Sequence, residues 1–138
     1  MSVCFEDMSV GQTARTAKTI TEADIILYAG VSTDTNPVHL DAEFAAATPF
    51  KQRIAHGMLS AGLISAVLGT KLPGPGTVYM SQSLRFRLPV HIGDTVTAVV
   101  EVTALDAAKK RATLKTTCLV GGRVVIEGEA LVMPPPRG

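Results

Sequence analysis

The sequence predicts an α+β protein in which an antiparallel sheet wraps around one buried helix. The stretch 57–70 is apolar on almost every side, which is typical of a helix that the rest of the protein surrounds. After it, the hydrophobic pattern changes to a period of two, with turn signals between the segments, which indicates consecutive strands. Strands joined by short connections favour antiparallel pairing.

The first elements of the chain are a strand and a capped helix. Residues 13–20 alternate weakly between polar and apolar side chains and are predicted to form a strand. Thr21 is followed three positions later by Asp24, a pattern that resembles a capping box. We therefore expect a helix that begins after Thr21 and ends at about Val31.

A polar stretch, 32–39, separates this helix from the next one. Pro37 has no N–H group and biases Asn36 away from helical conformation, so the stretch is predicted to be a loop. Asp41 is predicted to cap a short helix over residues 42–47.

The central helix is predicted over residues 57–70, with Gly69 near its end. Four strands are expected after it, and turn signals at 91–94 and at Gly121-Gly122 separate some of them. The residues that share one face are, strand by strand, Val78, Met80, Gln82, Leu84, Phe86 and Leu88; Val96, Ala98, Val100 and Val102; Ala112, Leu114, Thr116 and Cys118; and Val124, Ile126 and Ala130.

The composition excludes several functional classes. Only 18% of the residues are charged while 46% are hydrophobic, which favours a protein that buries some apolar surface between subunits. The net charge is +1 and the basic residues are scattered, so neither a nucleic-acid-binding face nor a set of stacking aromatic residues is predicted. The longest apolar stretch, 58–68, is too short to cross a bilayer.

The two cysteines, Cys4 and Cys118, have neither metal-ligand spacing nor a CxxC partner. We interpret them as a free thiol near the N-terminus and a small core residue. The first eleven residues contain Glu6 and Asp7 and lack the apolar stretch of a signal peptide. These features predict a reducing, cytoplasmic location.

Asp34 and His39 are the first candidates for chemistry. A bent loop containing Asn36 and Pro37 can direct both side chains at one water molecule, and histidine can move a proton near neutral pH. The alternative is that Asp34 caps a turn and His39 is an ordinary loop residue.

His56 and Gly57 stand where the central helix is predicted to begin. Unpaired backbone N–H groups and the positive end of the helix dipole meet there, and Gly57 has no side chain to keep a carbonyl oxygen away from its N–H. The alternatives are that Gly57 serves close packing and that His56 is a hydrogen-bonded core residue. A metal set of Asp34, His39, Asp41 and His56 matches no standard ligand spacing, so no metal is predicted.

The stretch Asp34–His39 resembles the Asp-x-Asn-Pro-x-His motif of the MaoC-like (R)-specific enoyl-CoA hydratases. Ile54–Met58 resembles the His-Gly-Met start of that family's central helix, and Pro89–Asp94 resembles its turn between strands. The similarity extends from Phe5 to Val132, and the two motifs at this separation are a specific signal.

The resemblance implies a hot-dog fold in which residues 1–138 form a single MaoC-like domain. It implies a homodimer with active sites between subunits, and syn addition of water to a trans-2-enoyl-CoA to give an (R)-3-hydroxyacyl-CoA. In short bacterial members this product supplies polyhydroxyalkanoate synthesis.

The resemblance also assigns residues. Asp34 and His39 would be catalytic, and the Gly57 N–H would hold the thioester oxygen, with His56 and Asn36 as further oxyanion or substrate-binding candidates. No metal or other cofactor is expected, because CoA is part of the substrate.

Three alternatives remain open at this point: a 3-hydroxyacyl-carrier-protein dehydratase, a hot-dog acyl-CoA thioesterase and a non-catalytic thioester-binding module. Positive charge for CoA is expected from Lys51, Arg53, Arg85 or Arg87, although ordinary solvated charge explains these residues equally well.

Overall fold

The structure, a computed structural model, describes residues 1–137 and contains one five-stranded antiparallel sheet. The strands are β1 (Thr13–Thr19), β2 (Val78–Phe86), β3 (Thr95–Asp106), β4 (Arg111–Val120) and β5 (Arg123–Met133). Their order in the sheet is β1-β3-β4-β5-β2. The four strands after the central helix, β2 to β5, lie where the period-two pattern predicts them, and β4 and β5 are joined by a turn at Gly121-Gly122, where both glycines have positive φ.

The helices are α1 (Glu22–Ser32), α2 (Pro37–Leu40), α3 (Ala42–Ala46) and α4 (Gly57–Thr70), preceded by a 3-10 turn at Phe5–Asp7. The predicted capping box of α1 is confirmed: the Asp24 N–H donates to Thr21 Oγ1 at 3.2 Å, and the Thr21 N–H donates to Asp24 Oδ2 at 2.9 Å. Asp41 caps α3 as predicted, accepting from the N–H groups of Glu43 and Phe44.

The prediction of a loop over 32–39 is wrong in its second half, where α2 forms. Pro37 is the first residue of this helix, a position whose N–H has no helical partner and where proline's fixed φ fits. Asn36 caps the helix by accepting from the Val38 N–H at 3.1 Å. Pro37 therefore starts a helix here rather than preventing one, and His39 lies on a helical turn.

The core lies between α4 and the concave side of the sheet. Ile64, Val67 and Leu68 of α4 are at most 1% exposed. The predicted inward-facing residues of β3 and β4 are fully buried against them: Val96, Ala98, Val100, Val102, Ala112, Leu114, Thr116 and Cys118. The sheet thus wraps around the helix, as the hot-dog arrangement requires.

The expectation that α4 is buried on all sides is wrong for the single chain. Met58, Gly62, Ser65 and Ala66 are exposed, because the sheet covers only one side of the helix. Within residues 1–137, no helix is long and apolar enough to cross a membrane.

Candidate active site

The four-residue segment 53–56 runs beside α2 and holds it in place. Together α2 and this segment position the residues that the sequence singles out. Three hydrogen bonds join them: Arg53 Nε to His39 O (2.6 Å), Ile54 N to Val38 O (3.3 Å) and His39 Nδ1 to Ile54 O (2.8 Å). A fourth, His56 Nε2 to Asp34 O (2.9 Å), joins the segment to the loop before α2. A helix of one turn is not stable by itself, so these bonds fix where its side chains point.

The two histidines have defined and opposite tautomers. A backbone carbonyl can only accept a hydrogen bond, so the Nδ1 of His39 carries the proton that it shares with Ile54 O. By the same reasoning, the Nε2 of His56 carries the proton that it donates to Asp34 O. His39 Nε2 and His56 Nδ1 are therefore the ring nitrogens that take no part in these two bonds.

The three side chains converge. A carboxylate oxygen of Asp34, a ring nitrogen of His39 and a ring nitrogen of His56 all lie within 4.8 Å of one another. The two imidazole rings are stacked, with centroids 3.9 Å apart and planes inclined by 30°. Tyr28 packs against the His56 ring at a centroid distance of 4.7 Å, so His56 is held firmly within the protein.

Burial lowers the pKa of His39 below its usual value. The hydrogen bond to Ile54 raises this pKa and the charge of Asp34 also raises it, while the charge of His56 lowers it, but burial has the largest effect. His39 is therefore neutral at neutral pH, and its Nε2 can accept a proton.

Gly57 begins α4 with its N–H free of a capping side chain, because His56 provides no cap hydrogen bond. The Phe86 ring covers this helix start so closely that a Cβ atom on Gly57 would lie 2.5 Å from the ring's Cδ1 and Cε1. A side chain at position 57 would therefore clash with Phe86. It would also obstruct an oxygen that approaches the Gly57 amide.

A cavity of about 390 Å³ lies in front of these groups. Asp34, His39, His56 and Gly57 contribute to its lining. Most of the remaining wall is apolar: Phe50, Ile54, Ala55, Met58, Phe86, Leu88, Pro89, Val90 and Ile126. The cavity suits a ligand with an apolar chain and a reactive polar centre.

Asp34, His39 and His56 are also the residues that could in principle hold a metal ion. The stacked rings do not suit this role, because lone pairs in two nearly parallel ring planes do not converge on one point unless a ring turns. Turning either ring breaks its bond to a backbone carbonyl. Asp41, the fourth ligand weighed from the sequence, is engaged as the cap of α3.

The structure gives two residues assigned from the resemblance a structural contact as well. Asn36 caps α2 with its side-chain oxygen. His56 is 2% exposed, lines the cavity and donates its Nε2–H to the backbone of Asp34. Of the basic residues considered for CoA, Arg53 pairs with Glu22 and Arg87 pairs with Glu127.

Sequence reasoning missed the contributions of Tyr28, Phe86 and the carbonyl of Ile54. None of them belongs to a motif. The carbonyl is a backbone group that any residue at position 54 would provide, so the residue type does not reveal its role. The sequence shows only that Tyr28 and Phe86 are largely apolar. That character favours burial but does not tell which residues they contact.

Comparison with known proteins gives consistent results. The family model described as "MaoC like domain" matches residues 7–122. The chain is 64% identical to an (R)-specific enoyl-CoA hydratase of Rhodospirillum rubrum, over 97% of this chain and 93% of that protein. It superposes with a TM-score of 0.91 on the (R)-hydratase of Aeromonas caviae involved in PHA biosynthesis, which is 50% identical and covers 94% and 99% of the two chains. The unliganded R-hydratase PhaJ1 of Pseudomonas aeruginosa gives a TM-score of 0.93 at 47% identity, covering 99% and 88%.

Proposed function

Because the chain belongs to the MaoC-like domain family, we propose that it is an (R)-specific enoyl-CoA hydratase whose water is activated by Asp34 and His39. The convergence of these two side chains beside the free amide of Gly57, in one cavity, carries the assignment of residues. The reaction class, a hydro-lyase, is that of the (R)-specific hydratases of Rhodospirillum rubrum and Aeromonas caviae, to which the chain is similar.

The water lies between Asp34 and His39 in this proposal. His39 Nε2 takes a proton from the water as its oxygen bonds to the β-carbon of the enoyl group, and Asp34 orients the water and stabilises the charge that forms on the imidazole. The proton then passes from the pair to the α-carbon. Since the oxygen and the proton come from the same side of the substrate, the addition is syn.

Charge develops on the thioester oxygen while the new bond forms. The Gly57 N–H, at the positive end of the α4 dipole, is placed to stabilise it. The conjugated thioester itself acidifies the α-carbon, so we propose that the reaction needs neither a metal nor a redox cofactor and that CoA enters only as part of the substrate.

We propose that the active form is a homodimer. Apolar side chains of β2 are exposed, including Val78, Tyr79, Met80 and Phe86. Tyr79 and Met80 line one cleft together with Met58, Gly62 and Ser65 on the exposed side of α4. β2 is also an end strand of the sheet, whose outer backbone groups can pair with another strand. A second copy would cover this surface and stand next to the cavity, which shares Met58 and Phe86 with it.

The finer parts of the assignment follow from the proposed reaction. We propose that residues 1–138 act as one domain, that the (R)-3-hydroxyacyl-CoA product supplies polyhydroxyalkanoate synthesis, and that the protein works in the cytoplasm. The similarity to the Aeromonas caviae enzyme supports the second of these, and the two free cysteines support the third.

Hydration of crotonyl-CoA, followed by the loss of absorbance of the conjugated thioester, tests the function. Oxidation of the product by an (R)-specific 3-hydroxyacyl-CoA dehydrogenase fixes its configuration. We expect Asp34→Asn and His39→Gln each to lower hydration by at least about a hundredfold, the size expected for loss of a general acid or base. Wild-type turnover in either folded variant would refute the assignment of the pair.

The same assay separates the alternatives. Faster dehydration of a 3-hydroxyacyl thioester on acyl carrier protein than on CoA would indicate a carrier-protein dehydratase. Release of free thiol from saturated butyryl-CoA would indicate a thioesterase. Binding of crotonyl-CoA without turnover would indicate a non-catalytic module.

A further inference from the structure

Arg53 lies behind the catalytic helix rather than in the cavity. Its Nε donates to the carbonyl oxygen of His39 at 2.6 Å, and its guanidinium forms an ion pair with Glu22 at 2.7 Å. The Arg53 side chain is 17% exposed, so this guanidinium is mostly withdrawn from solvent. Its hydrogen-bonding groups point at α1 and α2, which leaves it poorly placed to bind a phosphate of CoA.

The bond to His39 O has an unusual importance because α2 has only one turn. The last carbonyls of a helix lack partners within the helix, and a helix of four residues is not stable by itself. Arg53 supplies a charge-assisted partner to the carbonyl of the very residue whose ring is proposed to accept the proton. Glu22, the first residue of α1, in turn fixes the guanidinium.

We infer that Arg53, held by Glu22, is a positioning residue that fixes the backbone of His39 so that its ring faces Asp34. This inference rests on the proposed function of His39. The ring is held from one side by Ile54 O, and the backbone from the other side by Arg53. Loss of the Arg53 bond frees the helix end to rotate while the ring's own bond persists, so the ring is misplaced without the protein unfolding.

Arg53→Met keeps the length of the apolar stem and removes the donors. We expect kcat for crotonyl-CoA to fall by about ten- to a hundredfold, as for a misplacement of a catalytic group by about 1 Å. Because Arg53 is not expected to touch substrate, KM should stay within about twofold of the wild-type value. Arg53→Lys restores the charge without the Nε–H fork and should recover only part of kcat, and Glu22→Gln should give a smaller loss than Arg53→Met.

Arg137→Met is the matched control, since it breaks another arginine–carboxylate pair, with Asp7, in the terminal segments of the chain. Its kcat should equal that of the wild type. The Tm of Glu22→Gln and of Arg137→Met should remain close to the wild-type Tm, because each loses only an ion pair whose carboxylate is more than half exposed. Arg53→Met also loses the bond to His39 O, so its Tm is measured to establish that the variant is folded at the assay temperature.

A readout independent of activity is the proton on His39 Nδ1, observed by ¹H–¹⁵N NMR of histidine-labelled protein. We expect its signal to shift in Arg53→Met, because the ring moves relative to the His56 ring while it keeps its bond to Ile54 O, and to be unchanged in Arg137→Met. An unchanged His39 signal together with wild-type kcat would overturn the inference, and so would a large rise in KM with unchanged kcat, which would make Arg53 a CoA ligand. If the wild type fails to hydrate crotonyl-CoA, the proposed function fails, and the NMR comparison alone still decides whether Arg53 orders His39.

Discussion

Replacing Gly57 by alanine tests the proposed role of the α4 amide. The added Cβ would lie 2.5 Å from two ring carbons of Phe86, whereas ordinary contact begins at 3.4 Å. Either the ring or the start of α4 must therefore move by at least 0.9 Å. In addition, the new methyl group occupies the space through which a thioester oxygen would approach the N–H.

We expect this substitution to lower kcat for crotonyl-CoA hydration by about 10²–10³-fold, the range measured when one oxyanion donor is removed. Stability should change much less, because Phe86 is 54% exposed and its ring can turn towards solvent. Hydration kinetics and thermal unfolding of the same preparation give both quantities.

Two further variants separate the contact with Phe86 from the blocked approach to the amide. Gly30→Ala, in a helix where a Cβ meets no atom within 4 Å among residues 1–137, should keep full activity. Gly57→Ala combined with Phe86→Ala removes the contact, so recovery to the rate of Phe86→Ala alone would mean that the ring's displacement caused the loss. Wild-type kcat in Gly57→Ala itself would refute the reasoning, because no ligand oxygen would then need that amide.

Three other outcomes follow from the site and the sheet. Since burial lowers the pKa of His39 below its ordinary value of 6.5, the decline of kcat/KM for hydration at falling pH should have its midpoint below pH 6.5; a midpoint above 6.5 would contradict a buried His39 as the base. The unfolded chain binds a proton at His39 more readily than the folded chain does. The contribution of His39 to the free energy of unfolding is therefore present above pH 6.5 and is lost as the pH falls through the folded-state pKa of His39. Acid unfolding of the wild type and of His39→Gln would show this loss. Dialysis against EDTA should leave hydration unchanged, and activity restored only by an added divalent ion would show that the stacked histidines do bind a metal. Gly128→Ala places a Cβ 1.8 Å from the Ser83 carbonyl oxygen, so β2 and β5 must separate and Tm should fall sharply, whereas Gly30→Ala should not lower it.

The sheet and α4 were predictable because each has a pattern that its burial imposes. The alternating residues of β3 and β4 face one core, and their period of two is visible in the sequence without any knowledge of the partner strand. The start of α1 was predictable for a different reason: its cap involves only Thr21 and Asp24, which are neighbours in sequence.

The exposed side of α4 could not be predicted in this way. Its residues Met58, Gly62 and Ala66 are apolar or small, as buried residues are, and the sequence does not say which surface covers them. In the single chain the sheet reaches only the opposite side of the helix. α2 was missed because proline gives the same signal when it starts a helix as when it interrupts one, and only the Asn36 cap distinguishes the two.

For the site, the motif identified Asp34, His39 and Gly57, but it did not predict the state of the histidines. The ring nitrogen that carries the hydrogen depends on two backbone carbonyls, those of Ile54 and Asp34. Every residue type has such a carbonyl, so its position depends on the fold of the backbone and not on the residue type. The bond from Arg53 to His39 O is of the same kind. Such contacts join positions that are 14 to 22 residues apart, so no local pattern reports them.

The opposite tautomers explain how two stacked imidazoles can serve one proton transfer. With ring centroids 3.9 Å apart, a charge on His56 would oppose a charge on His39, whereas the charge of Asp34 favours it. The His39 ring lines the cavity, and its Nε2 is the nitrogen that we propose takes the proton from water. His56 donates its N–H to the backbone of Asp34 and so holds that residue in place. The different roles proposed for His39 and His56 therefore depend on which backbone carbonyl each ring donates to.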